Sequence, residues 1–290
     1  MLGSILSAGT HFHLALGDES YMIVDEAEVL RTNPQETMKK ITAFFKENPP
    51  DAIGIGSFGP IDIDIKSDKY GFITSTPKFG WEYYNFLGEL KKHFDIPMGW
   101  NTNANASALG EYYLHSSDDI KSLLYLTFGT GVGGGFIYQG RIFRGSSHPE
   151  MGHILVERLL EDDFSSRCPY HENCLEGRVS RASIQERTGK NFEDLSDDDP
   201  IFEMVGNYIA QALVDVTMVL RPDRIVLGGN TMEKTSLLKI TKKYFEKYFN
   251  HYIQIPPLDD YICCWDPEEK PGIIGGFLLA QRALKHSANK

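Results

Sequence analysis

Apolar and polar side chains alternate along residues 3–16 and 21–30, on either side of a short Gly-Asp-Glu turn. Alternation with a period of two is typical of half-buried strands, so this stretch predicts a β-hairpin. The pattern then changes to helical spacing over residues 38–45. Asn33 precedes this stretch and is followed by Pro and, three residues on, by Glu, which predicts an N-cap and the start of a helix.

The change between strand and helix spacing continues to the end of the chain. Apolar runs at 51–56, 98–101, 122–128 and 224–229 predict strands, and residues 84–95, 104–114, 200–220, 235–249 and 272–285 predict helices. Strands that alternate with helices indicate an α/β fold. The same hairpin sequence occurs at residues 8–10 and 128–130. We therefore expect two similar lobes with a cleft between them.

Composition and charge narrow the class of protein. The chain has 290 residues and a formal net charge of −11, which argues against nonspecific nucleic-acid binding. Four cysteines are too few for a disulfide framework and favour a reducing, cytoplasmic compartment. No stretch approaches the roughly 18 apolar residues of a membrane helix, so we expect no membrane partner.

Three glycine-rich turns follow predicted strands. They contain Gly9 and Thr10 in the first turn, Thr130, Gly131 and Gly133 in the second, and Gly228 and Gly229 in the third. Glycine lets backbone N–H groups approach phosphate oxygens closely, so these turns predict a nucleotide phosphate site. A Walker loop is excluded because no Gly-Lys-Ser/Thr sequence follows any of them.

Four candidate metal ligands fall within a window of 22 residues: His153, Cys168, His171 and Cys174. Two thiolates and two imidazoles form the closed tetrahedral set that structural zinc prefers. The alternative is two buried thiols beside surface histidines, but the spacing favours zinc. Glu150 and Glu176 flank the ligands without being needed by the metal. Both carboxylates could therefore accept hydrogen bonds from sugar hydroxyls.

These motifs resemble the ROK sugar kinases of the actin/hexokinase-like superfamily, and most closely their bacterial fructokinase-type branch. The resemblance runs nearly end to end and is carried by residues 54–60, 76–81, 105–111, 126–133, 148–153, 168–177 and 225–229. It implies two actin-like, ribonuclease H-like lobes over residues 1–115 and 116–290, with an interlobe cleft and a structural zinc loop at 148–177. A closing helix over residues 273–286 is expected to pack back on the first lobe.

The resemblance also implies roles for individual residues. Such kinases transfer the γ-phosphoryl group of MgATP to a primary hydroxyl of a hexose. The residues expected to contact the sugar are Gly59, Pro60, Asn103, Glu150, His153 and Glu176. The glycine turns would hold ATP, and zinc would organise the loop that carries the sugar ligands. The family often pairs through its second lobe, so we expect a homodimer.

The chain departs from the family pattern at positions that serve phosphoryl transfer. The Asp that acts as base in the Asp-x-Asn-Ala motif is Asn103 here, and an amide cannot accept the hydroxyl proton. In the first glycine turn, the acidic residue is replaced by Leu6 and the first Gly by Ala8. Arg181 stands where a Gly is usual. Together these changes argue against strong binding of ATP and Mg²⁺.

The sequence-based hypothesis is a fructokinase-like pseudokinase that binds a hexose or sugar phosphate and has lost most of its phosphoryl transfer. The alternatives are an active ATP:fructose 6-phosphotransferase with a substitute base, and a pocket recruited for other sugar chemistry. A transcriptional regulator is disfavoured, because no helix-turn-helix precedes residue 3 and the net charge is negative.

Overall fold

Two five-stranded mixed sheets carry the fold of the computed structural model, which describes residues 1–117 and 119–288. The first sheet has the strand order β3-β2-β1-β4-β5, and the second has the order β10-β9-β6-β7-β8. The strands are β1 Leu2–Ala8, β2 His11–Gly17, β3 Ile23–Leu30, β4 Ala52–Ser57, β5 Met98–Thr102, β6 Ser122–Phe128, β7 Val132–Tyr138, β8 Arg141–Ile142, β9 Arg224–Gly228 and β10 Ile262–Cys264.

The helices that accompany these strands vary from one turn to more than five. They are α1 Pro34–Glu47, α2 Phe86–Lys91, α3 Asn103–His115, α4 Leu175–Val179, α5 Arg181–Thr188, α6 Ile201–Leu220, α7 Thr235–Phe249, α8 Leu258–Tyr261 and α9 Pro271–Ala288. Short 3₁₀ turns lie at Met151–His153, Phe192–Asp194, Asn230–Glu233 and Pro267–Glu269. Within the described residues, no helix combines the length and the apolar character needed to cross a bilayer.

Each sheet joins antiparallel strands to parallel ones. In the first sheet β3, β2 and β1 are antiparallel neighbours, and β1, β4 and β5 run parallel. In the second, β10, β9 and β6 run parallel, and β7 and β8 are antiparallel. Parallel neighbours need a crossover, which the helices between the strands provide. The predicted α/β layering is therefore present in the structure.

The described chain divides into two compact units, each built from segments that are distant in sequence. The first contains Met1–Ser116, Gly135–Pro149 and the described residues from Pro267 onward. The second contains Ser117–Gly134 and Glu150–Asp266. The lobe boundary between residues 115 and 116 stays a prediction.

Aromatic side chains form the centre of the first unit's core. The ring of Phe12 lies 5.6 Å from that of Trp81 and 5.7 Å from that of Phe86, and Phe58 lies 5.6 Å from Trp81. The indole N–H of Trp81 donates to the carbonyl of Thr32 at 2.9 Å, which satisfies the polar atom of a buried ring. Trp81 is thus a residue of the first unit's core.

The last helix belongs to the first unit and approaches α3 closely. A Cβ atom at Gly275 of α9 would lie 1.7 Å from the carbonyl oxygen of Ala106 in α3. A Cβ at Gly110 of α3 would lie 1.8 Å from the carbonyl of Pro271. Glycine is required at both positions, because any side chain would push the two helix backbones apart. This packing fixes the start of α3, where Asn103 lies.

Candidate functional site

The four candidate metal ligands converge in the second unit. The ligand atoms of His153, Cys168, His171 and Cys174 all lie within 4.8 Å of one another. The Cys168 thiol lies 3.4 Å from Nδ1 of His171 and 3.7 Å from Nδ1 of His153. A tetrahedral zinc ion would separate such atoms by roughly 3.4–3.8 Å. The donor set and its spacing therefore fit zinc.

Local structure brings these ligands together from two directions. His153 ends the 3₁₀ turn Met151–His153, and Cys174 is the N-cap of α4. The Cys174 sulfur accepts the N–H of Gly177 at 3.4 Å. Burial, with a smaller contribution from the neighbouring Cys168 thiol, raises the pKa of Cys174 to about 12. A cation is therefore needed to stabilise the thiolate, which is the form that binds zinc.

Glu176 connects this cluster to the second glycine turn. Its Oε2 accepts the backbone N–H of Val132 at 2.9 Å, and its Oε1 lies 4.0 Å from Nε2 of His153. A Cβ at Gly131 would lie 2.7 Å from the same Oε2, so a side chain there would displace the carboxylate. One carboxylate oxygen of Glu176 thus accepts a hydrogen bond from the second glycine turn, and the other faces His153. Glu150 lies nearby in sequence, exposed at the start of the 3₁₀ turn.

The second and third glycine turns meet at one end of the second sheet. Thr127 at the end of β6 pairs with Gly228 at the end of β9. Gly229 has a φ of 85°, and a Cβ there would lie 2.3 Å from the carbonyl of Phe128. Thr130, Gly131 and Gly133 follow in the adjoining turn. The structure therefore places these predicted nucleotide residues beside one another.

The first glycine turn belongs to the first unit. Gly9 has a φ of 52° and, with the exposed Thr10, joins β1 to β2. Leu6 of β1 lies between Gly56 and Gly272, where Cβ atoms would come within 3.0 Å and 2.3 Å of its methyl groups. An apolar side chain thus occupies the position of the family's acidic residue.

Asn103 is held by hydrogen bonds at both ends of its amide. Its Nδ2–H donates to the carbonyl of Ser7 at 2.8 Å, and its Oδ1 accepts the N–H of Ala104 at 2.9 Å. The helix α3 is capped by Thr102, whose hydroxyl accepts the N–H of Asn105 at 3.1 Å. The helix predicted over residues 104–114 therefore begins at Asn103, directly after its cap. Asn103 ties the start of α3 to the end of β1.

The Gly59–Pro60 segment is anchored within the first unit. The carbonyl of Pro60 accepts the N–H of Thr74 at 2.8 Å. His148 places its Nε2 at 3.0 Å from the carbonyl oxygen and 3.2 Å from the nitrogen of Ile61. The histidine of the 148–153 motif therefore positions the loop that carries Gly59 and Pro60.

Arg181 does not point freely into the glycine turn. Its guanidinium pairs with Glu193 and lies 4.5 Å from the ring centre of Phe192. Its backbone N–H donates to the carbonyl of Gly129 at 2.8 Å. The side chain is thus used to pack α5 against the Phe192–Asp194 turn, while the backbone supports the second glycine turn.

The structure contains a buried cluster of charged side chains beside the metal ligands, and the sequence analysis did not identify it. Asp162 is 2% exposed and accepts hydrogen bonds from Arg187 at 2.7 Å and Tyr208 at 2.6 Å. Arg178, which is also 2% exposed, donates to the same carboxylate at 3.1 Å. Asp162 is not among the residues that the sequence analysis singled out. No spacing rule marks it, because its partners lie 16, 25 and 46 residues away.

We expect Asp162→Asn to lower the free energy of unfolding at pH 7 by about 3–5 kcal/mol, because it leaves buried guanidinium groups without a counter-charge. Burial alone would raise the pKa of Asp162, but hydrogen bonds from Arg187 and Tyr208 outweigh it and hold the pKa below its usual value. The stability that ionised Asp162 contributes is therefore lost only as the pH falls through this lowered pKa. Urea unfolding at pH 7 and below pH 4 measures both effects.

The neighbouring Asp163 is exposed, so Asp163→Asn is the matched control and should change stability by less than about 0.5 kcal/mol. Equal stability of the two variants at pH 7 would contradict the role given to Asp162.

Comparison with known proteins identifies the family. The sequence profile of the ROK family matches residues 3–283. A fructokinase from Pediococcus pentosaceus is 45% identical over 287 residues, covering 99% of this chain and all of the relative. A fructokinase from Lactococcus lactis subsp. cremoris is 44% identical over 281 residues, covering 96% of each chain.

Solved structures share the fold at lower identity. A ROK hexokinase from Thermus thermophilus matches with a TM-score of 0.79 at 20% identity, covering 98% of this chain and 99% of that one. A Streptomyces griseus ROK glucokinase, solved with glucose and AMPPNP, matches with a TM-score of 0.75 at 21% identity, covering 97% and 99%. The predicted actin-like α/β fold class is confirmed. The chain belongs to the ROK family and is fructokinase-like.

Proposed function

We propose that this protein binds fructose or a closely related hexose and passes the γ-phosphoryl group of MgATP to a primary hydroxyl of the sugar, at a slow rate. The observation that carries the proposal is the identity of 45% with a fructokinase over essentially the whole of both chains. This similarity favours retained kinase activity, whereas the sequence-based hypothesis was that phosphoryl transfer is lost or severely weakened. The slow rate is inferred from the residues at positions 6, 8 and 103.

The second unit supplies the strongest support for sugar binding. Glu150, His153 and Glu176 lie on or beside the two segments that meet at the metal-ligand cluster. Carboxylates accept charge-assisted hydrogen bonds from hydroxyl groups, which fixes the orientation of a sugar. We assign Gly59, Pro60 and Asn103 of the first unit as further sugar contacts. Gly59 and Pro60 match the family motif in sequence, and Asn103 stands at the position of the family's Asp.

The zinc ion would be held by His153, Cys168, His171 and Cys174, and its chemistry is structural. It closes a loop that has little regular secondary structure and so limits the motion of Glu176, which follows Cys174 by two residues. Zinc leaves no open position in such a set for a reacting group. Sugar phosphorylation therefore depends on this chain's own side chains and on MgATP.

Nucleotide binding is assigned to the glycine turns. Gly131, Gly133, Gly228 and Gly229 lie at one end of the second sheet, where their backbone N–H groups can serve phosphate oxygens. Thr130 lies in the same turn, and Gly9 and Thr10 are the matching residues of the first unit. Mg²⁺ would be bound mainly through the phosphates, because Leu6 offers no carboxylate.

The geometry of Asn103 favours a second candidate, a protein that binds the hexose without transferring phosphate. Both ends of its amide are already hydrogen-bonded, and an amide has no basic form at ordinary pH. Losing a general base costs about 10²–10⁴-fold in rate. The two candidates make the same prediction for sugar binding and differ only in turnover.

The test is calorimetry with fructose, glucose, mannose and ATP, beside an ADP-release assay with the same sugars. Saturable hexose binding with slow, sugar-dependent ADP release supports the proposal. Binding without ADP release supports the second candidate. Absence of binding by all three hexoses would contradict both.

We expect Glu150→Gln to weaken hexose binding by about 10- to 100-fold, because it removes the charge from a hydrogen bond worth about 1.5–3 kcal/mol. Isothermal calorimetry with fructose measures the change. Glu161→Gln removes the same charge from another exposed glutamate of the second unit and should leave the affinity unaltered. If both variants bind fructose like the unmodified chain, Glu150 is not a sugar ligand.

A further inference from the structure

Arg178 makes an unusual set of contacts for a residue outside the metal-ligand set. It lies in α4, four residues after Cys174, and is 2% exposed. Its Nη1 donates to the carbonyl of Phe164 at 2.5 Å and to Asp162 at 3.1 Å. Its Nη2 donates to the carbonyl of Glu172 at 3.2 Å and to the side-chain oxygen of Asn173. One guanidinium thus reaches four acceptors from two segments of the chain, residues 162–164 and 172–173.

The positions of these acceptors connect Arg178 to the metal ligands. Phe164 lies four residues before Cys168, and Glu172 and Asn173 lie between His171 and Cys174. Arg178 therefore contacts the segment before the 168–174 loop and the end of the loop itself. A planar guanidinium with five N–H donors can do this, whereas an ammonium group cannot span the same acceptors with fixed geometry.

The positive charge of Arg178 is balanced by the carboxylate of Asp162. Asp162 binds Arg178 and Arg187 through the same Oδ2, and Tyr208 donates to that oxygen as well. Removing a guanidinium group from solvent without a partner would cost several kcal/mol. The Asp162 carboxylate therefore makes it possible to keep Arg178 buried behind the loop.

We propose that Arg178 is a positioning residue for the metal, because it holds the 168–174 loop in the shape that brings the four ligand atoms together. This inference rests on the zinc site of the proposed function. The loop has no strand or helix of its own between residues 164 and 174. Its backbone bonds to Arg178 supply the order that regular structure would otherwise give. Fixed ligands lose less entropy when the ion binds, so zinc is retained more strongly.

Arg187 provides a matched control. It is nearly as buried, 7% exposed at the side chain, and donates to the same Oδ2 of Asp162. Its other contacts are the carbonyl of Arg178 and the ring of Phe164, both of which lie outside residues 165–177. Arg178→Met and Arg187→Met therefore remove equivalent buried charges, and only the first removes the bonds to the loop.

The experiment measures zinc release from the full-length, zinc-loaded protein to a chromophoric chelator. We expect Arg178→Met to release zinc about 10- to 100-fold faster than the unmodified chain, as for other residues that orient metal ligands. Arg187→Met should lose folding stability but release zinc within about threefold of the unmodified rate. Arg178→Lys should behave like Arg178→Met, since Lys cannot reproduce the fork of donors.

A milder variant keeps the test decisive if Arg178→Met does not fold. Asn173→Ala removes one of the four contacts of Arg178 and leaves the buried charge in place. We expect it to accelerate zinc release by several-fold, with an altered absorption spectrum of the cobalt-substituted protein. Equal release rates for Arg178→Met and Arg187→Met, or an unchanged Asn173→Ala, would overturn the positioning role. An unmodified chain that carries no zinc would instead overturn the zinc site itself.

Discussion

Fructose phosphorylation by the unmodified chain is expected to run at least about 10²-fold below that of an ordinary sugar kinase, because residue 103 offers no base. The triple change Asn103→Asp, Leu6→Glu and Ala8→Gly should raise turnover by more than the product of the three single changes. Groups that act as one unit in catalysis are strongly non-additive, so each repair needs the others. Steady-state ADP release with fructose, glucose and mannose measures the rates.

The contacts of Asn103 explain why Asn103→Asp alone should recover little. The Nδ2–H of Asn103 donates to the carbonyl of Ser7 at 2.8 Å. A carboxylate in the same position would place two acceptors against each other, and it would have to rotate or take up a proton. Leu6, which directly precedes Ser7 in β1, would still offer the metal and phosphates no acidic neighbour. The single variant therefore gains a base that is poorly placed.

The matched control for the triple variant replaces Leu6→Glu by Leu6→Gln, which has the same size and no charge. It should recover much less turnover than the Glu version. Rapid turnover by the unmodified chain would contradict the slow-kinase proposal, and it would mean that another group, such as His11 or Glu176 acting through water, accepts the proton. Full recovery by Asn103→Asp alone would show that Leu6 and Ala8 are tolerated.

Loss of one metal ligand is the second large effect. We expect Cys174→Ser to abolish stoichiometric zinc binding and to lower the free energy of unfolding by on the order of 5 kcal/mol, because metal binding is linked to folding. Cys174 is buried and caps α4, so the change acts on the loop and on the helix that carries Glu176. Metal analysis of the purified protein and urea unfolding measure the two effects.

Cys263→Ser is the control for this prediction. Cys263 lies in β10, outside the ligand set, and its thiol contacts the carbonyl of Ile225 at 3.7 Å. It should retain one zinc per chain. A zinc-free Cys174→Ser variant as stable as the unmodified chain would contradict the structural role of the metal.

Helices were predictable where the capping residues and apolar spacing in the sequence agreed with the packing of the folded chain. Asn33 caps α1 as expected, with its side chain accepting the N–H of Glu36. The helix predicted over residues 235–249 coincides with α7. The helix predicted over residues 84–95 is shorter, because α2 covers only Phe86–Lys91. The apolar side chains of this stretch pack into the aromatic core, and that packing does not require the helix to extend as far as residue 95.

The metal ligands were predictable because three of them lie close together in sequence, and the structure brings all four together. The buried cluster around Asp162 could not be predicted in the same way. Asp162 lies beside Glu161 and Asp163 in a polar stretch that is typical of a solvated loop. Only the tertiary fold shows that Arg178, Arg187 and Tyr208 surround it. Likewise, the hydrogen bond from the Asn103 amide to the carbonyl of Ser7 joins residues 96 positions apart and follows only from the fold.

The carboxylate of Glu176 has a thermodynamic consequence for ligand binding. One of its oxygens binds the N–H of Val132 in a glycine turn, and the other faces His153. A hydroxyl that hydrogen-bonds to one oxygen would redistribute charge on both oxygens. It would therefore alter the strength of the hydrogen bond from the N–H of Val132. The free energies of binding at the carboxylate and at the turn are then not independent. By reciprocity, whatever factor a sugar at the proposed site applies to the affinity for a nucleotide at the proposed turn, the nucleotide would apply to the affinity for the sugar.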